Sequence, residues 1–233
     1  MKKLFVFFVC VICAFVLASC KETVVVDDSN QNNQQNNNEN NQGDNNQGDN
    51  NQGDNNQPTQ TNEVDKALDA KYNDLAKGKK LYLTTVGQAD VDKVQSFFDD
   101  LEMVDGTDYI KNNKLTAADV EDGAVVFMVI GTSGKGLGAA GTDLNGEKKR
   151  ANDFIAKEGI TLVVFHVGGL DRRGDTTDPI IDIVCPKADL LLVVESGNED
   201  SKFTNIAKNN NVDLYLYSKT SKMRSAISTL LGQ

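Results

Sequence analysis

Residues 124–130 read AVVFMVI, and this unbroken apolar run decides the class of fold. Three more short apolar runs follow it, at residues 160–167, 190–194 and 214–217. Short runs that are apolar at every position are typical of strands buried on both faces of a parallel sheet. Segments with helical periodicity separate these runs, so the pattern predicts a doubly wound α/β fold with right-handed crossovers.

The remaining elements complete this prediction. Residues 79–86 and 106–113 read as further strands, the second of them a short edge strand. The expected architecture is a three-layer, Rossmann-like or flavodoxin-like sandwich around a mainly parallel sheet of five or six strands. Helical periodicity or capping residues predict helices over residues 62–76, 90–101 (capped by Asp90), 116–123, 145–157, 179–185 (capped by Asp178), 201–209 and 219–231.

Open parallel sheets bind ligands beyond the carboxyl ends of their strands. The segments that follow the predicted strands are polar and rich in glycine, so they supply the candidate site. The candidate ligand-binding residues are Gln88, Ser133, Lys135, Gly136, Gly138, Gly141, His166, Gly168, Gly169, Arg172, Arg173, Glu195 and Asn198.

The segment after the run at 124–130 reads GTSGKGLGAAGTD and contains a literal G-x-G-x-x-G. A dinucleotide fingerprint would follow the first strand, whereas this motif follows the third predicted strand. It also lacks the P-loop pattern, because Lys135 is followed by glycine. Two interpretations remain open: a nest of backbone N–H groups for a small anion, or a mobile loop or lid.

Residues 166–175 read HVGGLDRRGD. Arginines beside glycine-rich backbone suit bidentate contacts with carboxylate or phosphate, but they could also pair with Asp171 and Asp175. His166, the only histidine, could be packed in the core or could orient a substrate. Since there is no Cys/His cluster and no dedicated calcium loop, we expect no metal and no cofactor.

The first nineteen residues predict a signal peptide, with two lysines before an apolar stretch. Residues 17–20 read LASC, which resembles the lipobox of bacterial lipoproteins. That resemblance implies a diacylglyceryl group on Cys20, membrane attachment through it, and a location on the extracytoplasmic face of a bacterial cell envelope. The alternative is an ordinary signal peptide in which Cys20 is incidental.

Residues 20–61 predict a lipidated tether of Asn, Gln, Gly and Asp, in which QGDNN occurs three times, with a reach of about 30–40 Å. Residues 62–233 predict one α/β domain. Within it Cys185 lies in an apolar segment, which favours a buried, inert thiol over a nucleophile. The formal net charge of −10 argues against nucleic acid as a partner.

The stretches TTVGQADVDKV, IGTSGKGLGAAGTD, VVFHVGGLDRRG and PKADLLLVVESGNEDSKFTNIA resemble the DUF6305 family. The resemblance covers most of residues 81–231. Ala89 stands where the family is expected to carry serine, which weakens a phosphate role for that turn. The family implies a fold and a set of shared loops, without an established activity.

These observations favour a lipid-anchored protein that binds a small anionic or polar ligand at the carboxyl edge of the sheet. The alternative is an extracytoplasmic hydrolase or transferase that uses the same edge, with His166 as its acid–base group. A third hypothesis is a module whose edge loops contact a protein partner.

Overall fold

A computed structural model describes residues 60–233. The predicted signal peptide, Cys20 and nearly all of the predicted tether lie outside these residues. The described part contains seven strands: β1 (Gln60–Val64), β2 (Leu81–Val86), β3 (Ile110–Lys111), β4 (Val125–Ile130), β5 (Thr161–His166), β6 (Leu190–Val194) and β7 (Asp213–Tyr217).

The strands form one sheet in the order β1-β7-β6-β5-β4-β2-β3, and every neighbouring pair is parallel. All residues of β2, β4, β6 and β7 are buried, because helices cover both faces of the sheet. The prediction of a doubly wound α/β fold is confirmed, with seven strands where five or six were expected.

The helices are α1 (Val91–Asp100), α2 (Gly134–Ala140), α3 (Leu144–Ile155), α4 (Asp178–Val184), α5 (Lys202–Asn210) and α6 (Met223–Leu231). Apolar residues of α1 and α6 pack on one face of the sheet. Those of α3, α4 and α5 pack on the other. Helix α2 buries no residue and therefore adds little to either core.

The prediction of a helix over residues 62–76 was wrong. This segment forms β1 on the edge of β7, followed by a short 3-10 helix at Ala70–Tyr72. Its apolar residues divide between the two layers, with Val64 against one core and Leu68 and Tyr72 in the other. The helical spacing arises because the chain crosses the edge of the sheet here, and pairing with β7 satisfies backbone groups that a helix would satisfy internally.

Of the two predicted helix caps, Asp90 was right in position only, and Asp178 was wrong by one residue. Asp90 precedes α1 but adopts a left-handed conformation (φ 61°) and makes no capping bond. Thr177, rather than Asp178, precedes α4. In both cases the carboxylate binds an arginine instead of an N–H group in the first turn of the helix. Arg172 donates to Asp90, and Arg173 donates to Asp178.

Phe127 provides a test of the core because it lies fully buried on the interior strand β4. Its ring centroid lies 5.2 Å from that of Phe98 and 6.1 Å from that of Phe165. We expect Phe127→Ala to lower the free energy of unfolding by about 3–5 kcal/mol, measured by urea denaturation, because a cavity replaces the ring. Val104→Ala, at a side chain that is 56% exposed, should change it by less than about 0.5 kcal/mol. Equal effects of the two substitutions would contradict this description of the core.

Candidate functional site

The order of the strands reverses between β2 and β4. Strand β2 connects to β3 through α1 on one face of the sheet, whereas β4 connects to β5 through α2 and α3 on the other. The two connections leave neighbouring strands in opposite directions, so a crevice opens beyond their carboxyl ends. This topological switch point is where open α/β sheets bind ligands.

The turn after β2 is conformationally strained. Gly87, Gln88 and Asp90 all have positive φ, at 102°, 62° and 61°. Gly87 must be glycine, since a Cβ there would lie 2.3 Å from the carbonyl oxygen of Gly131. Non-glycine residues in this region cost about 1 kcal/mol or more each, and such strain clusters at functional sites. The turn directs Gln88 and Asp90 to different neighbours.

Glu147, on α3, brings a buried carboxylate to this turn. Its side chain is 3% exposed. It accepts hydrogen bonds from the backbone N–H of Gly87 (2.8 Å) and from Nε2 of Gln88 (3.2 Å). Arg150 completes the set with a charge-assisted bond from Nη2. Three donors therefore compensate the charge of Glu147.

Arg150 links the same place to two more segments. Nη1 donates to the carbonyl oxygen of Leu115 (3.1 Å), and Nη2 also donates to that of Thr85. The buried Nε–H has no acceptor among residues 60–233. Buried polar groups are nearly always paired, so this donor is one that the fold itself does not satisfy.

A cavity of about 160 Å³ lies beside these groups. Two cations and one compensated carboxylate lie in its wall. The lining is therefore suited to an anionic guest. The lining residues are Gln88, Lys114, Ala140, Thr142, Gly146, Glu147 and Arg150.

Of the predicted site residues, Gln88 lines this cavity and Gly136 packs against the backbone of Gln88. A Cβ on Gly136 would lie 2.1 Å from the carbonyl oxygen of Gln88, so glycine is required for α2 to pack on the turn. The glycine-rich segment, for which a nest of N–H groups and a mobile loop or lid were both open, forms the short helix α2. Ser133 caps that helix by accepting from the N–H of Gly136 (3.2 Å), Gly141 ends it, and Lys135 and Gly138 are exposed.

The residues that sequence reasoning missed are Lys114, Thr142, Glu147 and Arg150. A signal for two of them was present. Glu147 and Arg150 precede Ala151 and Phe154 at positions i, i+3, i+4 and i+7, so they extend the buried stripe of α3 by one turn. Charged residues in such a stripe indicate a polar group that the fold turns inward.

His166 lies inside the core rather than at the edge. Its ring is fully buried and packs against Phe203, with 5.2 Å between ring centroids. Nδ1 lies 3.1 Å from the carbonyl oxygen of Ile130, and Nε2 lies 3.1 Å from that of Gly169. Burial lowers the pKa of His166, although these two carbonyl groups act in the opposite direction.

Arg173 is enclosed as well. Its side chain is 5% exposed, and all five of its N–H groups have acceptors, on Asp178, Asp200 and the carbonyl group of Gly197. The bonds to Asp178, against some cost of burial, raise the pKa of Arg173. The bond from Arg173 lowers the pKa of Asp200. Arg173 thus serves the fold and offers no free donor to a ligand.

The remaining predicted residues lie around the ends of β5 and β6. Asn198 accepts from the N–H of Thr204 and donates to its hydroxyl group, which holds the start of α5. Glu195 is exposed. Gly168 and Gly169 pack closely against Arg172 and Ser196, respectively. These residues share the carboxyl edge of the sheet with the cavity but do not line it.

Cys185 is fully buried and unpaired, and burial raises the pKa of its thiol. No group of three or more His, Cys, Asp or Glu side chains within residues 60–233 is arranged to hold a metal ion. No helix of that segment is long and apolar enough to cross a membrane.

The chain was compared with known protein families. The model of the family described as Domain of unknown function (DUF6305) matches residues 78–231. The chain belongs to this family. The match takes in β2 to β7 and all six helices, and it leaves β1 and the 3-10 helix at Ala70–Tyr72 outside. No curated protein and no solved structure matches the chain.

The burial of His166 predicts a pH dependence of stability. Its pKa in the folded state lies below the ordinary value of about 6.5 for histidine, so the unfolded chain binds the proton more readily. The free energy of unfolding should be constant above about pH 7 and fall as the pH drops below about 6.5, by at most about 1.4 kcal/mol per pH unit. Urea denaturation between pH 7.5 and 5 measures this.

His166→Asn is the matched control, because it keeps a donor and removes the titration. Its stability should be nearly flat over the same range, since the paired carboxylates Asp178 and Asp200 titrate below about pH 4. A wild-type stability that rises on acidification would show that the two carbonyl groups outweigh burial.

Proposed function

We propose that this DUF6305 domain binds a small organic anion in the cavity at the switch point between β2 and β4. The observation that carries the proposal is the lining of the cavity, in which two cations, Lys114 and Arg150, lie beside a single carboxylate that already accepts from three donors. A carboxylate or phosphate oxygen is the strongest acceptor for a guanidinium donor.

Charge supports an anionic rather than a cationic ligand. The carboxylate of Glu147 already accepts from Gly87, Gln88 and Arg150 and so has little attraction left for a cation. The side chain of Lys114 is exposed and forms no ion pair with residues 60–233, so its charge is available to a ligand. An anion entering the cavity therefore meets a positive potential on an acidic protein.

The size of the cavity restricts the ligand class. An engineered cavity of about 150 Å³ holds one benzene molecule. A cavity of about 160 Å³ accordingly suits a ligand of comparable size. Small mono- and dicarboxylates and phosphate esters meet this requirement, whereas an entire nucleotide would extend beyond it.

Binding is favoured over catalysis by the position of His166. The hydrolase or transferase hypothesis uses this histidine as its acid–base group, and its ring is fully buried with a carbonyl group at each nitrogen. A catalytic acid or base must reach the proton that it transfers. His166 does not line the cavity, so its ring does not reach a ligand bound there.

Lys114 provides the test of the binding site. Small carboxylates and phosphate esters are screened by thermal shift, and affinity for those that raise the midpoint is measured by calorimetry. Lys114→Ala should weaken binding about fivefold or more, because a charge-assisted contact is lost. Lys135→Ala, which removes the same charge from the exposed surface of α2, should leave affinity unchanged. Equal affinities of wild type and Lys114→Ala would refute the site.

The proposal includes a location for the protein. Acylation of Cys20 anchors it to the membrane of a bacterial cell envelope, and residues 20–61 separate the domain from the lipid surface. The support is the LASC sequence after an apolar segment, which lies outside the residues that the structure describes.

Metabolic labelling with an alkyne fatty acid tests the anchor. The wild-type chain should carry the label and sediment with membranes, whereas Cys20→Ala should lose the label. Cys185→Ser is the control, because its thiol is fully buried in the domain and should not affect labelling. Label retained by Cys20→Ala would show that the lipid, if any, is attached elsewhere.

A further inference from the structure

We propose that Arg172 forms a second oxyanion-binding point, separate from the cavity, at the carboxyl ends of β4 and β5. It lies across the turn at residues 87–90, since Gln88 faces the cavity whereas Asp90 binds Arg172. The ligand group is a carboxylate or a phosphate, bound through two parallel N–H···O bonds from the guanidinium edge.

The first support is that Arg172 is held in place from one side only. Its Nε donates to Oδ2 of Asp90 at 3.0 Å. Among residues 60–233, neither Nη1 nor Nη2 of Arg172 has an acceptor within hydrogen-bond distance. The side chain is 40% exposed, so these donors are available to a ligand. The neighbouring Arg173 differs in every respect, being 5% exposed and fully paired.

The second support is the way in which Asp90 itself is buried and held. Its carboxylate is 4% exposed, and its other oxygen binds Nζ of Lys93 at 3.0 Å. Asp90 is also one of the residues held in the strained left-handed conformation. Gly168 is a required glycine, because a Cβ there would lie 2.0 Å from Cγ of Arg172 and 2.8 Å from Oδ2 of Asp90. A strained residue and a close-packed glycine thus position one half-exposed guanidinium.

The charges of the cluster favour an anion. Lys93 and Arg172 contribute two positive charges, and the buried Asp90 contributes one negative charge. A structural ion pair needs only one cation per carboxylate, so one positive charge is left over at the surface. Because Asp90 orients Arg172, less conformational entropy is lost when a ligand binds than at a free surface arginine.

Titration with inorganic phosphate and, separately, acetate tests the site. At constant ionic strength, the Nε–Hε resonances of the arginines are followed by NMR on the purified protein. We expect the resonance of Arg172 to shift saturably. Arg224 is the matched internal control, because it is 48% exposed and lies near one carboxylate, that of Asp100. Parallel, non-saturating shifts of Arg172 and Arg224 would overturn the proposal. Comparing the two anions distinguishes a phosphate site from a carboxylate site.

Three variants separate geometry from charge. Arg172→Gln should weaken anion binding about tenfold or more, and Arg172→Lys, which keeps the charge without the planar fork, should weaken it by about the same factor. Asp90→Asn removes a negative charge, so simple attraction predicts tighter binding, whereas positioning by Asp90 predicts weaker binding. Wild-type affinity in Arg172→Lys, or tighter binding in Asp90→Asn, would overturn the proposal.

Lys114→Ala distinguishes this site from the cavity. It should leave the phosphate-induced shift of Arg172 unchanged, because Lys114 lines the cavity on the other side of the turn. Loss of the shift in that variant would overturn the claim of a separate site. Circular dichroism of each variant excludes unfolding as the cause of any loss.

Discussion

The carboxylate of Glu147 is the group on which the geometry of the switch point depends. Removing a carboxylate from water costs several kcal/mol, which only well-placed donors offset. Here the donors come from the turn after β2 and from Arg150 on α3 itself. Arg150 in turn binds the carbonyl groups of Thr85 and Leu115. One buried ion pair therefore holds together the end of β2, the connection from β3 to β4, and α3, which surround the cavity.

Neighbouring arginines have opposite roles at this edge of the sheet. Arg173 packs over the ring of Phe203, at 5.5 Å from the centroid, and joins the loop after β5 to the loop after β6. Arg172 binds only through Nε and leaves its outer edge exposed. The two side chains reach different partners because Arg172 is the last residue of the 3-10 helix at Leu170–Arg172, whereas Arg173 follows it with extended backbone. Residue type alone does not distinguish a structural cation from one presented to a ligand.

The glycines of the edge loops also divide into two groups. Gly87, Gly136 and Gly168 lie where a Cβ would overlap a backbone or side-chain atom, so close packing requires them. Gly134 and Gly138 face open space, and alanine would fit at either position. The G-x-G-x-x-G motif includes a glycine of each group, Gly136 of the first and Gly138 of the second. Only Gly136 of this pattern is required by the packing of α2 on the turn after β2, and Gly141 ends the helix in a left-handed conformation.

The sequence by itself determined the class of fold, because short strands that are apolar at every position and alternate with helical segments are typical of a parallel sheet with helices on both faces. It also indicated which edge carries the polar residues, since the loops after the strands are polar and glycine-rich. It did not reveal β1, because that strand depends on the free edge of β7 rather than on its own periodicity.

The tertiary structure alone decided which of the edge residues meet. Gln88 and Glu147 are 59 positions apart, and their contact depends on the reversal of strand order between β2 and β4. A glutamate followed three residues later by an arginine has the same spacing as an ordinary ion pair on an exposed helix. Only the packing of α3 against the end of β2 turns that pair inward, because periodicity identifies a helical face but not the neighbour that covers it.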